Sequence, residues 1–141
     1  MLYLASDHAG FELKESLKNF MLEQKIEFED LGCDSPERCD YPDFGHRLAQ
    51  KVLENPDTRG VGICGSGLGI SMTLNRHPGI RAARCMSVED AELARKHNDA
   101  NVLVLAGRQT EPDLAVAILE KFLATEFEGG RHENRIKKIE L

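Results

Sequence analysis

Apolar residues follow two rhythms along this chain. Short runs at 2–5, 27–31, 60–64, 80–84 and 102–106 are mostly too apolar to have a solvent-facing side, which predicts buried parallel strands. Between them the apolar positions recur at helical spacing. Residues 11–24 carry Phe11, Leu13, Leu17, Phe20 and Met21 as a stripe, and 44–53, 66–76, 87–97 and 113–125 repeat the pattern. Pro112 stands where the last of these begins, which suits its fixed φ. A further short helix is expected from about residue 131, after Gly129 and Gly130, on the rim or on a partner. Strands alternating with helices, with no internal repeat or Gly/Ser-rich linker, predict one domain over 1–141. Its expected architecture is a three-layer α/β sandwich around a five-stranded, parallel, Rossmann-like sheet.

The 18 Lys and Arg against 24 Asp and Glu give a net charge of −6, which argues against nucleic acid or an anionic membrane as partner. Any anion site must be local. No apolar run approaches the roughly 18 residues of a membrane span, and Asp7 interrupts an N-terminus without a basic leader, pointing to a cytoplasmic protein. The four cysteines, Cys33, Cys39, Cys64 and Cys85, form no C-x-x-C pair and read as free thiols.

In an open parallel sheet, ligands bind beyond the carboxyl ends of the strands. The loops there offer Asp7 and His8, Tyr41, Cys64 with Gly65-Ser66-Gly67-Leu68-Gly69, and Arg108. The glycines of CGSGLGIS can bare backbone N–H groups to an anion, although this is neither a dinucleotide fingerprint nor a P-loop, and such turns also serve tight packing. Cys64, at a strand end just before a helix, suits a base or nucleophile as well as inert packing. Asp7 and His8 can bind a hydroxyl or phosphate, or simply cap the following turn. His97 and Asn98 close a helix, where a histidine can simply cap the end, and because that helix runs antiparallel to the strands His97 should emerge at the edge opposite the candidate site, unless the HNDAN loop folds back or His97 serves a neighbouring subunit. Arg131 and Arg135, four apart, can clamp a phosphate or be a solvated face.

Taken together, SDHAGFELK (6–14), DYPDFGH (40–46), CGSGLGIS (64–71), GIRAARC (79–85), KHNDANVLVLAGR (96–108) and EGGRHENR (128–135) resemble, in order, the ribose-5-phosphate isomerase type B family. That family also includes relatives acting on galactose 6-phosphate and allose 6-phosphate. The resemblance implies interconversion of ribose 5-phosphate and ribulose 5-phosphate in the non-oxidative pentose phosphate pathway, through a cis-enediolate, with Cys64 as the base. Ile70 stands where a branch lacking the Cys carries Glu, which places this chain with the thiolate branch. The resemblance further implies that Ser66 and His97 assist ring opening and that Asp7 holds the ring oxygen or hydroxyls. Gly65 to Gly69, Leu68 included, line the enediolate, and Asn98 and Tyr41 contact the sugar. His8, Arg108, Arg131 and Arg135 gather around the phosphate. It implies a homodimer, or a tetramer, with sites at the subunit interface.

An aldose–ketose isomerase needs one base, preorganised N–H donors and an acid–base pair, and this chain offers each. No carboxylate–histidine cluster of metal-ligand spacing stands out, so neither metal nor cofactor is expected. The intact His97-Asn98-Asp99 favours the five-carbon sugar, with allose 6-phosphate as the alternative substrate. A non-catalytic sugar-phosphate-binding domain is the competing class. A phosphatase using Cys64 is disfavoured because no Arg closes the loop before Arg76.

Overall fold

The computed structural model describes residues 1–141. The strands are β1 (Leu2–Ser6), β2 (Phe28–Asp30), β3 (Arg59–Cys64), β4 (Ala82–Arg84) and β5 (Val102–Ala106). They form one sheet in the order β2-β1-β3-β5-β4, with every pairing parallel. The helices are α1 (Phe11–Glu23), α2 (Tyr41–Leu53), α3 (Leu68–Leu74), α4 (Val88–Asn98), α5 (Pro112–Ala124) and α6 (Arg131–Lys137). The expected three-layer parallel sandwich is therefore the fold. None of these helices is long and apolar enough to cross a membrane.

The alternation of each strand sorts its side chains between two cores. Leu2, Leu4, Val61, Ile63, Leu103 and Leu105 point into one, beneath α1, α4 and α5. Ala5, Cys64, Val102 and Val104 point into the other, beneath α2 and α3. Two glycines let α2 and α3 lie close on the sheet. A Cβ on Gly60 would stand 2.9 Å from Val52, and one on Gly62 3.1 Å from Leu74.

Several boundaries differ from the sequence expectation for local reasons. β4 begins at Ala82 rather than Ile80, and α2 begins at Tyr41 rather than Phe44. Pro42, with its fixed φ and missing N–H, fits the first turn of α2, so Tyr41 belongs to a helix and not to a loop. α3 begins only at Leu68 because Gly67 takes a left-handed conformation (φ 80°), leaving Ser66 and Gly67 in the loop. A short 3-10 turn, His8–Gly10, intervenes between β1 and α1.

Lys14 was not legible as core. It is wholly buried in α1, paired with Asp30 and donating to the Cys33 carbonyl at 2.7 Å. Arg95 is equally deep and is held by Asp99, the Ala100 carbonyl and the Thr125 carbonyl. Each buried charge thus has its partners, the condition under which burial of a charge is tolerated.

Candidate active site

The carboxyl ends of β1, β3 and β5 come together because their connections pack without side chains between them. A Cβ on Gly10 would stand 2.6 Å from the Ile63 carbonyl oxygen, and one on Gly107 2.6 Å from that of Ala9. The Gly107 N–H donates to the Cys64 carbonyl at 2.8 Å, and the Arg108 N–H to that of Gly65 at 3.0 Å. Above these ends lies a cavity of about 540 Å³, lined by Asp7, His8, Ala9, Tyr41, Cys64, Gly65, Ser66, Gly69, Arg108 and Gln109.

Cys64 ends β3, is 4% exposed, and is free, as are Cys33, Cys39 and Cys85. Burial pushes the Cys85 thiol up to about 12. Burial and the adjoining Cys33 thiol push that of Cys39 up to about 11. Asp7 is buried, and its carboxylate accepts the Gly10 N–H at 3.1 Å. The capping role open to it in the sequence is thus real, and the same residue faces the cavity. His8 is oriented through Nδ1, which sits 3.1 Å from the Cys39 carbonyl oxygen and 3.2 Å from its N–H. The Tyr41 ring rests on Gly69, where a Cβ would come within 2.5 Å of Cζ.

In the CGSGLG turn the N–H groups of Gly65, Ser66 and Gly67 donate to no group of the chain, whereas the Leu68 N–H is bound by the Ser66 hydroxyl at 3.2 Å. Leu68 itself is 49% exposed, and Gly67 turns inward, its Cβ direction meeting the Leu105 carbonyl at 3.2 Å. Neither lines the cavity, a correction to the expectation that all five residues do. The arrangement leaves the Gly65 and Ser66 backbone donors beside a buried thiol, a carboxylate, a hydroxyl and the Arg108 guanidinium. Such a set can bind a phosphorylated, hydroxylated molecule and stabilise an oxyanion next to a base.

His97, Asn98, Arg131 and Arg135 lie elsewhere. α4 runs back along the sheet and ends beside the amino ends of the strands, where the Asn101 carbonyl meets the Gly60 N–H. β3 alone separates its two ends by roughly 16 Å at about 3.3 Å per residue. α6 packs on this end of α4, with the His132 ring stacked on His97 at 4.4 Å between centroids. Within one chain these four residues do not join Cys64, and His97 stands at the edge that the antiparallel run of α4 predicts.

Three features escaped the sequence. Gln109 lines the cavity directly after Arg108, a position that the strand-end rule could have flagged. Arg84, at the end of β4, donates to the Ser66 carbonyl at 2.7 Å and to the Gln109 side chain at 3.3 Å, bracing the turn. His97, Glu128 and His132 form a carboxylate–histidine cluster whose donor atoms lie within 4.8 Å of one another. Its members are too scattered in the chain for ligand spacing to reveal, and it corrects the expectation that no such cluster exists.

A family model described as Ribose/Galactose Isomerase matches residues 2–139. The chain belongs to the ribose/galactose isomerase family. Within that family it is 43% identical over 139 residues to a probable ribose-5-phosphate isomerase B of Mycoplasma pneumoniae, covering 98% of this chain and 91% of the relative. Its fold matches the crystal structure of a ribose 5-phosphate isomerase from Thermotoga maritima with a TM-score of 0.96 and 51% identity, over 99% of this chain and 96% of that one. It also matches ribose-5-phosphate isomerase B of Mycoplasma genitalium with bound ribulose-5-phosphate, with a TM-score of 0.94 and 40% identity, over 98% and 92% of the two chains.

Proposed function

We propose that this ribose/galactose isomerase family member interconverts ribose 5-phosphate and ribulose 5-phosphate, with Cys64 as the base. The observation that carries this reading is the buried Cys64 thiol in one cavity with the undonated N–H groups of Gly65 and Ser66. The bound ribulose-5-phosphate of the Mycoplasma genitalium relative supports the choice of sugar.

Each residue then has a task that its placement suits. Asp7 holds the ring oxygen or hydroxyls while Ser66 and His97 pass the proton that opens the ring. Cys64 takes the proton from C2 of the aldose, the Gly65 and Ser66 N–H groups receive the enediolate oxygen, and the proton returns to C1. Tyr41 and Asn98 contact the sugar. His8 and Arg108 meet the phosphate from this chain, and Arg131 and Arg135 from a second copy. The reading requires at least a dimer, because His97 and the two arginines stand at the far edge of the sheet from Cys64. It places the enzyme in the cytoplasm and assigns the proton transfer to protein groups alone, so turnover is expected to persist in excess chelator.

Cys64→Ala is expected to keep ribose 5-phosphate binding in calorimetry while ribulose 5-phosphate formation falls by about 10²- to 10⁴-fold, the range for loss of a positioned base. Undiminished turnover in that variant contradicts the reading. Binding of sugar phosphate without turnover in the unaltered protein would favour the binding-module alternative.

A further inference from the structure

We propose that His97, Glu128 and His132 form an inhibitory binding site for a divalent transition-metal ion of the Zn²⁺ class. The fold builds this cluster from three separate places. Asp99, in a left-handed conformation (φ 46°), ends α4 just after His97. The Glu128 N–H donates to the Lys96 carbonyl at 3.1 Å, which fixes Glu128 beside that helix end. Gly129 and Gly130, at φ 72° and 61°, then turn the chain so that His132, in the first turn of α6, comes back over the same spot.

The result is a His97 Nε2 to Glu128 Oε1 separation of 3.6 Å, with the two imidazoles stacked 17° from parallel. One donor atom from each residue lies within 4.8 Å of the others. Two imidazole nitrogens and one carboxylate oxygen are a three-ligand zinc set that leaves a fourth position for water. Metal–ligand bonds of about 2.0–2.2 Å place tetrahedral donors roughly 3.3 Å apart, so the widest pair must close by about 1.5 Å. His132 is 8% exposed, whereas the side chains of His97 and Glu128, 42% and 50% exposed, have solvent beside them into which to adjust. Imidazole donors favour Zn²⁺, Co²⁺, Ni²⁺ and Cu²⁺ over Mg²⁺ and Ca²⁺. The inhibitory consequence rests on the ring-opening role proposed for His97, because a metal-bound imidazole has no lone pair with which to move that proton.

The test titrates chelator-stripped full-length protein with Co²⁺ and follows visible d–d absorption. One ion per chain is expected, without the near-ultraviolet sulfur-to-cobalt charge transfer that thiol ligation produces. Glu128→Gln and His132→Ala should each weaken binding by at least about tenfold; Glu128→Gln, at an exposed position, serves if the buried His132 variant fails to fold. In the second arm, Zn²⁺ should slow isomerisation of the unaltered protein reversibly with chelator, and Glu128→Gln should resist it relative to its own metal-free rate. Absence of d–d bands, or binding unchanged in Glu128→Gln, overturns the site. Metal bound at these residues with turnover intact upholds the site and removes instead the proposed role of His97.

Discussion

Lys14 and Asp30 show how one pair governs both burial and pH response. Burial alone would raise the Asp30 carboxyl, but hydrogen bonds from Lys14, Lys18 and the Gly32 N–H outweigh it and hold its pKa below the ordinary value. The ionised form therefore stabilises the fold above the unfolded pKa near 3.9, and that contribution is lost as pH falls through the lower folded value. Asp30→Asn should cost about 2 kcal/mol near neutrality, on the low side for a buried pair because Asp30 stays partly exposed. The melting temperature of this variant should then fall less steeply than that of the unaltered protein below about pH 4. Two glycines give contrasting outcomes. Gly10→Ala pushes a methyl against the Ile63 backbone, which cannot yield, and should cost about 1–3 kcal/mol in chemical denaturation. Gly69→Ala meets only the Tyr41 ring, 39% exposed and free to swing away, so stability should hardly change while KM for the sugar phosphate rises.

Among the elements, α4 ends in a cluster of charged contacts. Asp99 accepts from the buried Arg95 at 2.7 Å and also faces Arg81, which donates to the Asn98 and Asp99 carbonyls. The Asp of His97-Asn98-Asp99 is thus a clasp on the helix terminus. Asp99→Gly relieves the left-handed strain yet takes the counter-ion from a buried guanidinium, leaving it only the Ala100 and Thr125 carbonyls, so a net loss of about 1–3 kcal/mol is expected by urea denaturation, with lower turnover. All five strands and six helices were legible because strand runs and helical stripes differ in period, and β3 and β5 are buried almost throughout. Tyr41 was misplaced because the Asp40-Tyr41-Pro42 helix start lacks a periodic apolar face. Lys14 was missed because nothing local distinguishes a lysine facing solvent from one whose partners, Asp30 and Cys33, arrive 16 and 19 residues later.

The candidate site was half legible at the scale of the whole molecule. Strand-end loops bring Asp7, His8, Cys64 and Arg108 to one cavity, as expected, because topology alone decides where those loops meet. His97, Arg131 and Arg135 were found by motif but joined to Cys64 only through the assumption of a second subunit, which no period within one chain encodes. If sites are shared in this way, inactive Cys64→Ala and His97→Ala proteins should regain activity on mixing and subunit exchange, approaching about a quarter of the unaltered rate as random heterodimers each restore one site. Mixtures that stay inactive despite demonstrated exchange would contradict the shared site. Isomerisation with Cys64 as the base is tested most directly by proton NMR of ribose 5-phosphate in deuterated water with excess chelator and the unaltered protein. Ribulose 5-phosphate carrying solvent deuterium at C1 is expected, with both conversion and exchange lost in Cys64→Ala. Exchange that survives in Cys64→Ala, or a substrate left unchanged by the unaltered protein, would contradict it.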